Sequence, residues 1–208
     1  FAEASSFNQD IGGWDLSSVL DAGSMLRGAT SFNHDITNWD VSSIKEFEAM
    51  FAFTSFNQDI SSWDVSSGTD FSRMFNNALD FNEDISSWDV ENSTDFSSMF
   101  SNAFVFDQDV SDWDVGNGTD FSSMFSGAES FNQDISSWDV SNGIFFSGMF
   151  LGASVFDQDI SVWNVSNGIN FEQMFYNASE MRSSGWSETP ISSDFLGQTI
   201  TGTEEADT

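Results

Sequence analysis

Three sets of acidic residues recur along this 208-residue chain at intervals of 24 or 25 residues. The first set directly follows a recurring tryptophan, as Asp64 does in the segment SWDVS at 62–66. If this segment is a strand, successive side chains point to opposite faces, and the acidic residue faces away from the buried tryptophan. Stacked repeats would then form a surface line of like charges. The members are Asp15, Asp40, Asp64, Asp89, Asp114 and Asp139, followed by Asn164 in the seventh place.

Two explanations of this line stay open from the sequence. Carboxylates repeated at the spacing of neighbouring strands, about 4.8 Å, repel each other. Either salt screens them or divalent cations bind between them. Calcium accepts several oxygen ligands in flexible geometry, and aspartate with serine or carbonyl oxygens can supply them. A solvated, screened line is therefore the leading explanation, and a calcium site formed by the first set is the alternative that stays open. The chain has no D-x-D-x-D-G loop of the EF-hand type.

The second and third sets occupy other places in the same repeat. The second set precedes an Ile or Val, in a loop where an aspartate suits hydrogen bonds to nearby backbone N–H groups. Its members are Asp10, Asp35, Asp59, Asp84, Asp109, Asp134 and Asp159. Within it, Asp59, Asp84 and Asp109 form the alternative metal site. The third set stands at a predicted helix start, where capping explains it. It comprises Asp21, Glu46, Asp70, Asp95 and Asp120, then Phe145 and Asn170.

A repeat of about 25 residues positions all three sets. A phenylalanine marks each of seven units, and one interval, from Phe32 to Phe56, is 24 rather than 25 residues. Tryptophan and methionine columns follow the same period, and we predict that all three columns pack in the core, because one small unit cannot bury its apolar face alone. The phenylalanines are Phe7, Phe32, Phe56, Phe81, Phe106, Phe131 and Phe156.

Two hydrophobic periodicities predict the local structure of each unit. Ile135, Trp138 and Val140 have the alternation of a short strand. Residues 121–128 place Phe, Met, Phe and Ala at i, i+3, i+4 and i+7, which favours a short helix. We therefore predict an α/β repeat solenoid that is leucine-rich-repeat-like. It has one short strand and one short helix per 25-residue coil, with a parallel sheet on the concave side.

The same pattern divides the chain into three parts. Residues 1–6 match the end of a preceding repeat, and residues 7–180 form the seven-repeat solenoid. Residues 181–208 read as a degenerate repeat that acts as a cap, with Met181 in the phenylalanine place and a polar tail from about Gly197. We expect that more units precede Phe1 or that another subunit covers this end, since solenoid ends need capping.

The repeat resembles a known family. The stretch F-N-Q-D-I-S-S-W-D-V-S, followed by T-D-F-S-S-M-F-S-G-A, is similar to the BspA-type leucine-rich-repeat surface proteins, and the resemblance covers residues 7–180. It implies a leucine-rich-repeat-like solenoid displayed outside the cell, with adhesion or partner binding as its role. The family pattern carries no catalytic residues to transfer.

Charge and composition exclude several classes of function. Four Lys and Arg against 34 Asp and Glu give a net charge of −30, which excludes a nucleic-acid partner held by phosphate contacts. The chain has no cysteine and no apolar run long enough to insert in a membrane. His34, the only histidine, stands where other units have Gln or Glu, and a surface substitution explains it. No nucleophile, phosphate-loop or zinc-protease motif occurs, so we predict that the chain is not an enzyme.

The sequence favours a secreted or cell-surface repeat protein that mediates adhesion. Its partner would be a protein or glycan surface ligand, bound through the regular Ser/Asp face by many weak contacts. The alternative is a structural subunit of a surface filament or coat that self-associates end to end. A polysaccharide-active enzyme is the third reading, and its site would lie at departures from the repeat such as Phe145, Val162 and Asn164.

Overall fold

The computed structural model describes residues 1–195, and it shows a stack of coils that follow the sequence repeat. Two short helices lie near its C-terminal end, the α-helix α1 at Ser179–Ser183 and a 3₁₀ helix at Ser192–Asp194. The rest of the described chain consists of turns and irregular segments, without an extended strand. Adjacent coils meet in single-residue parallel bridges. These bridges pair Asp21 with Glu46, Glu46 with Asp70, Asp70 with Asp95, Asp95 with Asp120, Asp120 with Phe145, and Phe145 with Asn170.

The segment predicted as a helix is a run of tight turns instead. Phe71, Arg73, Phe75 and Asn77 each donate their backbone N–H to the carbonyl 24 residues later, at 2.7–3.0 Å. Of the intervening residues, Met74 and Asn76 donate to the carbonyl three residues earlier in their own coil, and Ser72 donates to the side chain of Asp70. An α-helix would need every N–H to donate to the fourth residue back. We call these bonds from one coil to the next the coil ladder, and it replaces the helical bonds.

Residues with positive φ allow the backbone to form the coil ladder. In the third coil Arg73 has φ 57° and Asn77 has φ 55°, a left-handed conformation that breaks a helical path. The place of Asn77 holds asparagine or glycine in most coils, the residues that tolerate this conformation best. The helix prediction is wrong because two successive turns satisfy the i, i+3, i+4, i+7 spacing as well as a helix does. The equivalents of Asn77 are Gly28, Phe53, Asn102, Gly127, Gly152 and Asn177.

The predicted strand is a pair of turns. Trp138 donates its backbone N–H to the carbonyl of Ile135 at 3.1 Å, and Gly143 donates to Val140 at 2.8 Å. An aspartate precedes each turn, and it caps the turn with a side-chain oxygen. Asp-x-Ser is turn chemistry, and this local preference overrides the strand-like alternation of apolar residues.

The repeat prediction is confirmed, but the predicted secondary structure is wrong. Among residues 1–195 there is neither a helix in each coil nor a parallel sheet, so the chain is not an α/β, leucine-rich-repeat-like solenoid. No helix in this part of the chain is long and apolar enough to cross a membrane. Residues from Gly197 onward, including the predicted polar tail, lie outside the described part.

A continuous apolar core runs through the stack, and its columns confirm the predicted core. The Phe, Trp and Met columns are buried from the second coil onward, whereas Phe7 and Met25 in the first coil are partly buried and Trp14 is 44 % exposed. Equivalent rings of successive coils stack in nearly parallel planes, such as Trp88 on Trp113 at 2°. Each unit therefore packs its core against its neighbours, as expected for a repeat that cannot bury its apolar face alone.

Buried tryptophans also join the coils by hydrogen bonds. Trp88 donates its indole Nε1–H to the backbone carbonyl of Ile60 in the preceding coil at 3.2 Å, and Trp138 does the same to Val110 at 2.9 Å. Phenylalanine fills the other aromatic columns, where no donor is needed. The tryptophan column thus supplies a hydrogen bond between coils on the side that lacks the coil ladder.

Stacked rings lie at similar distances on both sides of the coil. Tryptophan centroids lie 6.2–6.5 Å apart, and the rings of Phe71 and Phe96, beside the coil ladder, lie 6.4 Å apart. The first acidic set is adjacent to the tryptophans, in the segment of paired turns. Because residues 1–195 contain no sheet, the prediction that this set lines a concave sheet is wrong.

The last described residues pack against the final coil. Met181, Trp186 and Phe195 are buried, and the Trp186 ring lies 5.2 Å from Phe175. The backbone N–H of Phe175, which would donate to a further coil, donates to the Glu188 carbonyl at 3.0 Å. This segment thus covers the apolar end of the stack and takes up part of its coil ladder.

Candidate functional site

The first acidic set caps turns. Asp64 accepts two hydrogen bonds at the same oxygen, Oδ1, from the N–H of Ser66 at 3.1 Å and from its hydroxyl at 2.6 Å. Asn164 accepts the N–H of Ser166 at 3.2 Å, so an amide performs the backbone part of the role. The second oxygen of Asp64, Oδ2, receives no hydrogen bond from the described residues. Each turn therefore fixes one carboxylate oxygen and leaves the other toward solvent. The same N–H contact occurs at Asp15, Asp40, Asp89, Asp114 and Asp139.

The second and third sets use the same local geometry. Asp59 accepts the N–H of Ser61 at 2.9 Å and its hydroxyl at 2.7 Å. Asp70, in the bridge row, accepts the N–H of Ser72 at 2.7 Å. The hydrogen-bonding role predicted for the second set is confirmed, while the third set caps turns rather than helices. The two other members of the alternative metal site, Asp84 and Asp109, also accept an N–H two residues on.

These hydrogen bonds lower several aspartate pKa values. The hydroxyl of Ser66, with a smaller contribution from its N–H, holds the pKa of Asp64 below its usual value. For Asp109 the N–H of Ser111 is the larger cause of a lowered pKa. Both donors favour the charged carboxylate, so the turns stabilise negative charge at the surface. Serine hydroxyls lower the pKa in the same way at Asp15, Asp59, Asp134, Asp139 and Asp159.

Few cations of the protein oppose this charge. Arg27 pairs with Glu3, Arg73 with Glu48 at 3.1 Å, and Arg182 with Glu188. All three ion pairs of residues 1–195 therefore engage glutamates, and the aspartate rows have no basic partner there. The described residues contain no group of three or more His, Asp or Glu arranged to hold a metal ion. The calcium site stays a prediction from the sequence, because the described residues do not form a coordination shell.

Asparagine and glutamine form a second polar row, which sequence analysis did not identify. Asn57 accepts the N–H of Asn82 at its side-chain oxygen, at 2.9 Å, and donates its own N–H to the side chain of Asn33 at 2.8 Å. On another edge, Asn92 donates its amide to the carbonyl of Ser66 in the preceding coil at 2.9 Å. The recurrence of asparagine at fixed repeat positions was the available signal. These asparagine rows join neighbouring coils by hydrogen bonds. They carry no charge, so the negative charge of the aspartate rows is not neutralised by them.

The departures proposed for an enzyme site are spread along the coil. Phe145 lies in the bridge row, while Val162 and Asn164 flank Trp163 in the next coil. Phe145 and Val162 are exposed, at 38 % and 58 %. His34 is half-buried, and its Nε2 lies 3.0 Å from the Asn8 carbonyl. None of these contacts places an acid and a base beside one another.

A pocket lies elsewhere, at the 24-residue interval. Its lining includes the exposed ring of Phe53 and the side chains of Leu79 and Asp80. The short interval is visible in the sequence, but the interval alone does not predict a site. A phenylalanine in a column of asparagine and glycine was the second signal.

Comparison with known proteins identifies a repeat family. A family model described as "Mycoplasma protein of unknown function, DUF285" matches residues 1–113 and again residues 85–188. A search of curated proteins finds no match to the chain. The two overlapping matches agree with the repeated unit seen in the sequence and in the stack.

Proposed function

Because the chain belongs to the DUF285 family of unknown function, membership assigns no activity, and we propose a role from the surface it presents. The protein is a non-enzymatic, extracellular or cell-surface repeat protein that binds a partner through its acidic turn face. This face consists of the first acidic set with the serines of its turns. The partner is a protein or glycan surface with hydrogen-bond donors or positive charge.

The fixed carboxylate oxygen carries this proposal. In each turn the N–H two residues on donates to Oδ1 of the aspartate, as in Asp64 and Asp139. This hydrogen bond restricts rotation of the carboxylate, so its second oxygen, Oδ2, has a defined direction. Six coils in succession present the same group at a regular spacing. Regular weak contacts add by avidity, because each further contact is intramolecular once the first has formed.

Repetition also supports a role without catalysis. Catalysis needs groups in unlike environments, such as one carboxyl whose pKa is raised beside one whose pKa is lowered. Asp64 and Asp139 instead share one environment and one direction of pKa shift. The surface location is supported by the sequence resemblance to BspA-type surface proteins.

A matched pair of triple variants tests the proposal. D64N/D89N/D114N removes three charges from the acidic turn face, and Asn164 shows that the turn accepts an amide. D70N/D95N/D120N removes three charges from the bridge row, where Asn170 likewise accepts an N–H, from Glu172 at 2.9 Å. Both variants would be applied to one array of extracellular-matrix proteins and glycans at low and moderate salt.

The proposal predicts that the wild type binds an array member and that the acidic-face variant binds at least tenfold more weakly. The bridge-row variant should bind within about twofold of the wild type. Equal loss in both variants would assign binding to net charge and contradict the proposal. Concentration-dependent self-association without array binding would favour the filament subunit instead.

A further inference from the structure

A pocket forms where the second coil is one residue short. Between the positive-φ residue and the next core phenylalanine, the first coil has Ala29, Thr30 and Ser31, whereas the second has only Thr54 and Ser55. The missing residue leaves a gap of about 290 Å³ between the coils on either side. Thr54 and Ser55 lie at this gap, flanked by the neighbouring coils. The lining is Thr30, Phe53, Thr54, Ser55, Asn77, Leu79 and Asp80.

Phe53 stands at a repeat position that holds asparagine or glycine in other coils, and its ring is exposed. It adopts φ 59°, a left-handed conformation that is unfavourable for a bulky side chain. The equivalent residue in every other coil that shows this conformation, apart from the glutamate at position 3, is asparagine or glycine. Its ring is 44 % exposed, although phenylalanines elsewhere in the coil are buried. Phe53 thus brings an exposed aromatic surface to the pocket at a position where the fold accepts asparagine or glycine.

The lining combines one apolar surface with polar groups of both hydrogen-bonding types. Phe53 and Leu79, both more than 40 % exposed, supply the apolar surface. The carboxylate of Asp80 accepts, and the hydroxyl of Ser55 both donates and accepts. Within residues 1–195 neither group has a hydrogen-bond partner, so both are open to a ligand. Arg27 lies 5.6 Å from the Phe53 ring centre and is ion-paired with Glu3.

We propose that this pocket binds a single neutral or amino sugar ring. The ring's C–H face packs on Phe53 and Leu79, while its hydroxyls bond to Asp80 and Ser55. The volume is near the lower end for ligand pockets, roughly 300–1,000 Å³. An anionic sugar is excluded by Asp80 and by the net charge of −30. The site is separate from the acidic turn face and does not depend on the proposed function.

A sugar fits this lining better than an apolar side chain of a peptide does. A leucine or methionine side chain inserted here would leave Asp80 and Ser55 desolvated without partners, which costs free energy. A hydroxylated ring satisfies both groups and still covers the apolar surface. The peptide therefore serves as the competing occupant in the test.

The test uses the whole chain and four methyl glycosides, those of glucose, galactose, mannose and glucosamine. Saturation-transfer NMR detects binding, and the Leu79 methyl resonances report its location. Phe53→Asn removes the ring and installs the residue type used in other coils, so its melting temperature should be no lower than that of the wild type. Phe104→Ser is the control, since it removes an equally exposed phenylalanine, 40 % exposed, outside the pocket.

The proposal predicts that at least one glycoside binds at millimolar concentration and shifts the Leu79 methyls. Phe53→Asn should weaken binding at least tenfold, and Phe104→Ser should leave it within twofold. One residue inserted between Thr54 and Ser55, which restores the 25-residue interval, should abolish binding. No glycoside binding, or equal binding by Phe53→Asn, would overturn the proposal, as would binding only of the peptide acetyl-Arg-Leu-Arg-amide at the Leu79 methyls.

Discussion

The two sides of each coil are built by opposite means. On the ladder side, at residues 71–78, alternate backbone N–H groups donate to the next coil. On the turn side, at residues 59–68, backbone N–H groups donate within the coil, to carbonyls and to Asp59 and Asp64. There side chains supply bonds between coils, such as the Trp63 indole to the Ile36 carbonyl and the Asn92 amide to the Ser66 carbonyl. Side chains therefore replace the coil ladder on the turn side, and the coils stack without regular strands.

This division separates stability from surface chemistry. On the ladder side, alternate backbone N–H groups donate to carbonyls of the neighbouring coil. The turn side needs an acidic or amide cap at every turn, so it exposes a carboxylate as a consequence of its own folding. The surface we propose for binding is thus the side whose aspartates cap the turns.

Proline at a ladder position should have the largest effect. Ser98 has φ 56° and donates its N–H to the Ser122 carbonyl at 2.8 Å. Ser98→Pro removes the donor and cannot adopt this φ, so the free energy of unfolding should fall by about 3 kcal/mol or more. Urea unfolding followed by tryptophan fluorescence measures the loss.

Ser98→Gly is the control, and its sign is informative. Glycine adopts positive φ without strain, so this variant should be unchanged or up to about 1 kcal/mol more stable. In a helix the same change would destabilise the protein by about 0.5 kcal/mol. Destabilisation by glycine would therefore contradict the left-handed ladder position.

Removing the indole donor should break the turn side by a smaller amount. Trp88→Phe deletes the hydrogen bond to the Ile60 carbonyl and leaves space in the core, so we expect a loss of about 1–3 kcal/mol. Trp14→Phe should cost less than about 0.5 kcal/mol, because Trp14 is 44 % exposed. Similar losses for the two variants in urea unfolding would show that the indole bond does not join the coils.

Acid should weaken the turn side selectively. The hydroxyl and N–H of Ser141 hold the pKa of Asp139 below its usual value. A lowered folded-state pKa contributes stability above the unfolded-state pKa, near 3.9, and this contribution is lost as pH falls through the folded-state value. Asp139→Asn lacks it, so the stability difference between wild type and variant should shrink between pH 5 and pH 2.

Urea midpoints at several pH values measure this difference. Ser141→Ala should reduce the same pH-dependent part, because the hydroxyl is the larger cause of the shift. Parallel pH profiles for the wild type and both variants would show that the turn does not stabilise the carboxylate.

Calcium should have the smallest effect. No three acidic groups converge within residues 1–195, so any calcium bound at the site predicted from the sequence would have few protein ligands, and calcium should raise the melting temperature only slightly more than sodium at equal ionic strength. D64N/D89N/D114N should abolish this difference, and equal melting curves in the two salts would contradict the calcium site. The alternative site is tested in the same way with D59N/D84N/D109N.

The core and the repeat were predictable, because apolar columns report burial whatever the backbone does between them. The path of the backbone was not. Phe121, Met124 and Phe125 meet the helical spacing, yet turns separated by positive-φ residues meet it too. Asn77 and its glycine equivalents carried the missed signal, since a column of asparagine and glycine marks left-handed residues. Arg73 and Ser98 gave no such signal, because their conformation follows from the ladder rather than from their type.

The sequence identified the recurring acidic residues, but not the local structure in which they lie. Asp64 was expected on a flat strand, where side chains alternate by geometry alone. Each aspartate instead accepts the N–H two residues on, most often in an Asp-x-Ser segment, and forms a local turn. This short-range hydrogen bond replaces pairing with a neighbouring chain segment. The pocket at Phe53 was not predictable in the same way. The 24-residue interval shows that one coil lacks a residue, but it does not show where in the coil the resulting gap lies.

Through-hydrogen-bond couplings from amide nitrogens to carbonyl carbons test the central claim most directly. The coil ladder predicts a coupling from Arg73 to Ser97 and from Phe75 to Met99, each 24 residues away, and from Met74 to Phe71 within the coil. Couplings from these amides to the carbonyls four residues earlier would mean that the segment is an α-helix, and they would contradict the stack of turns.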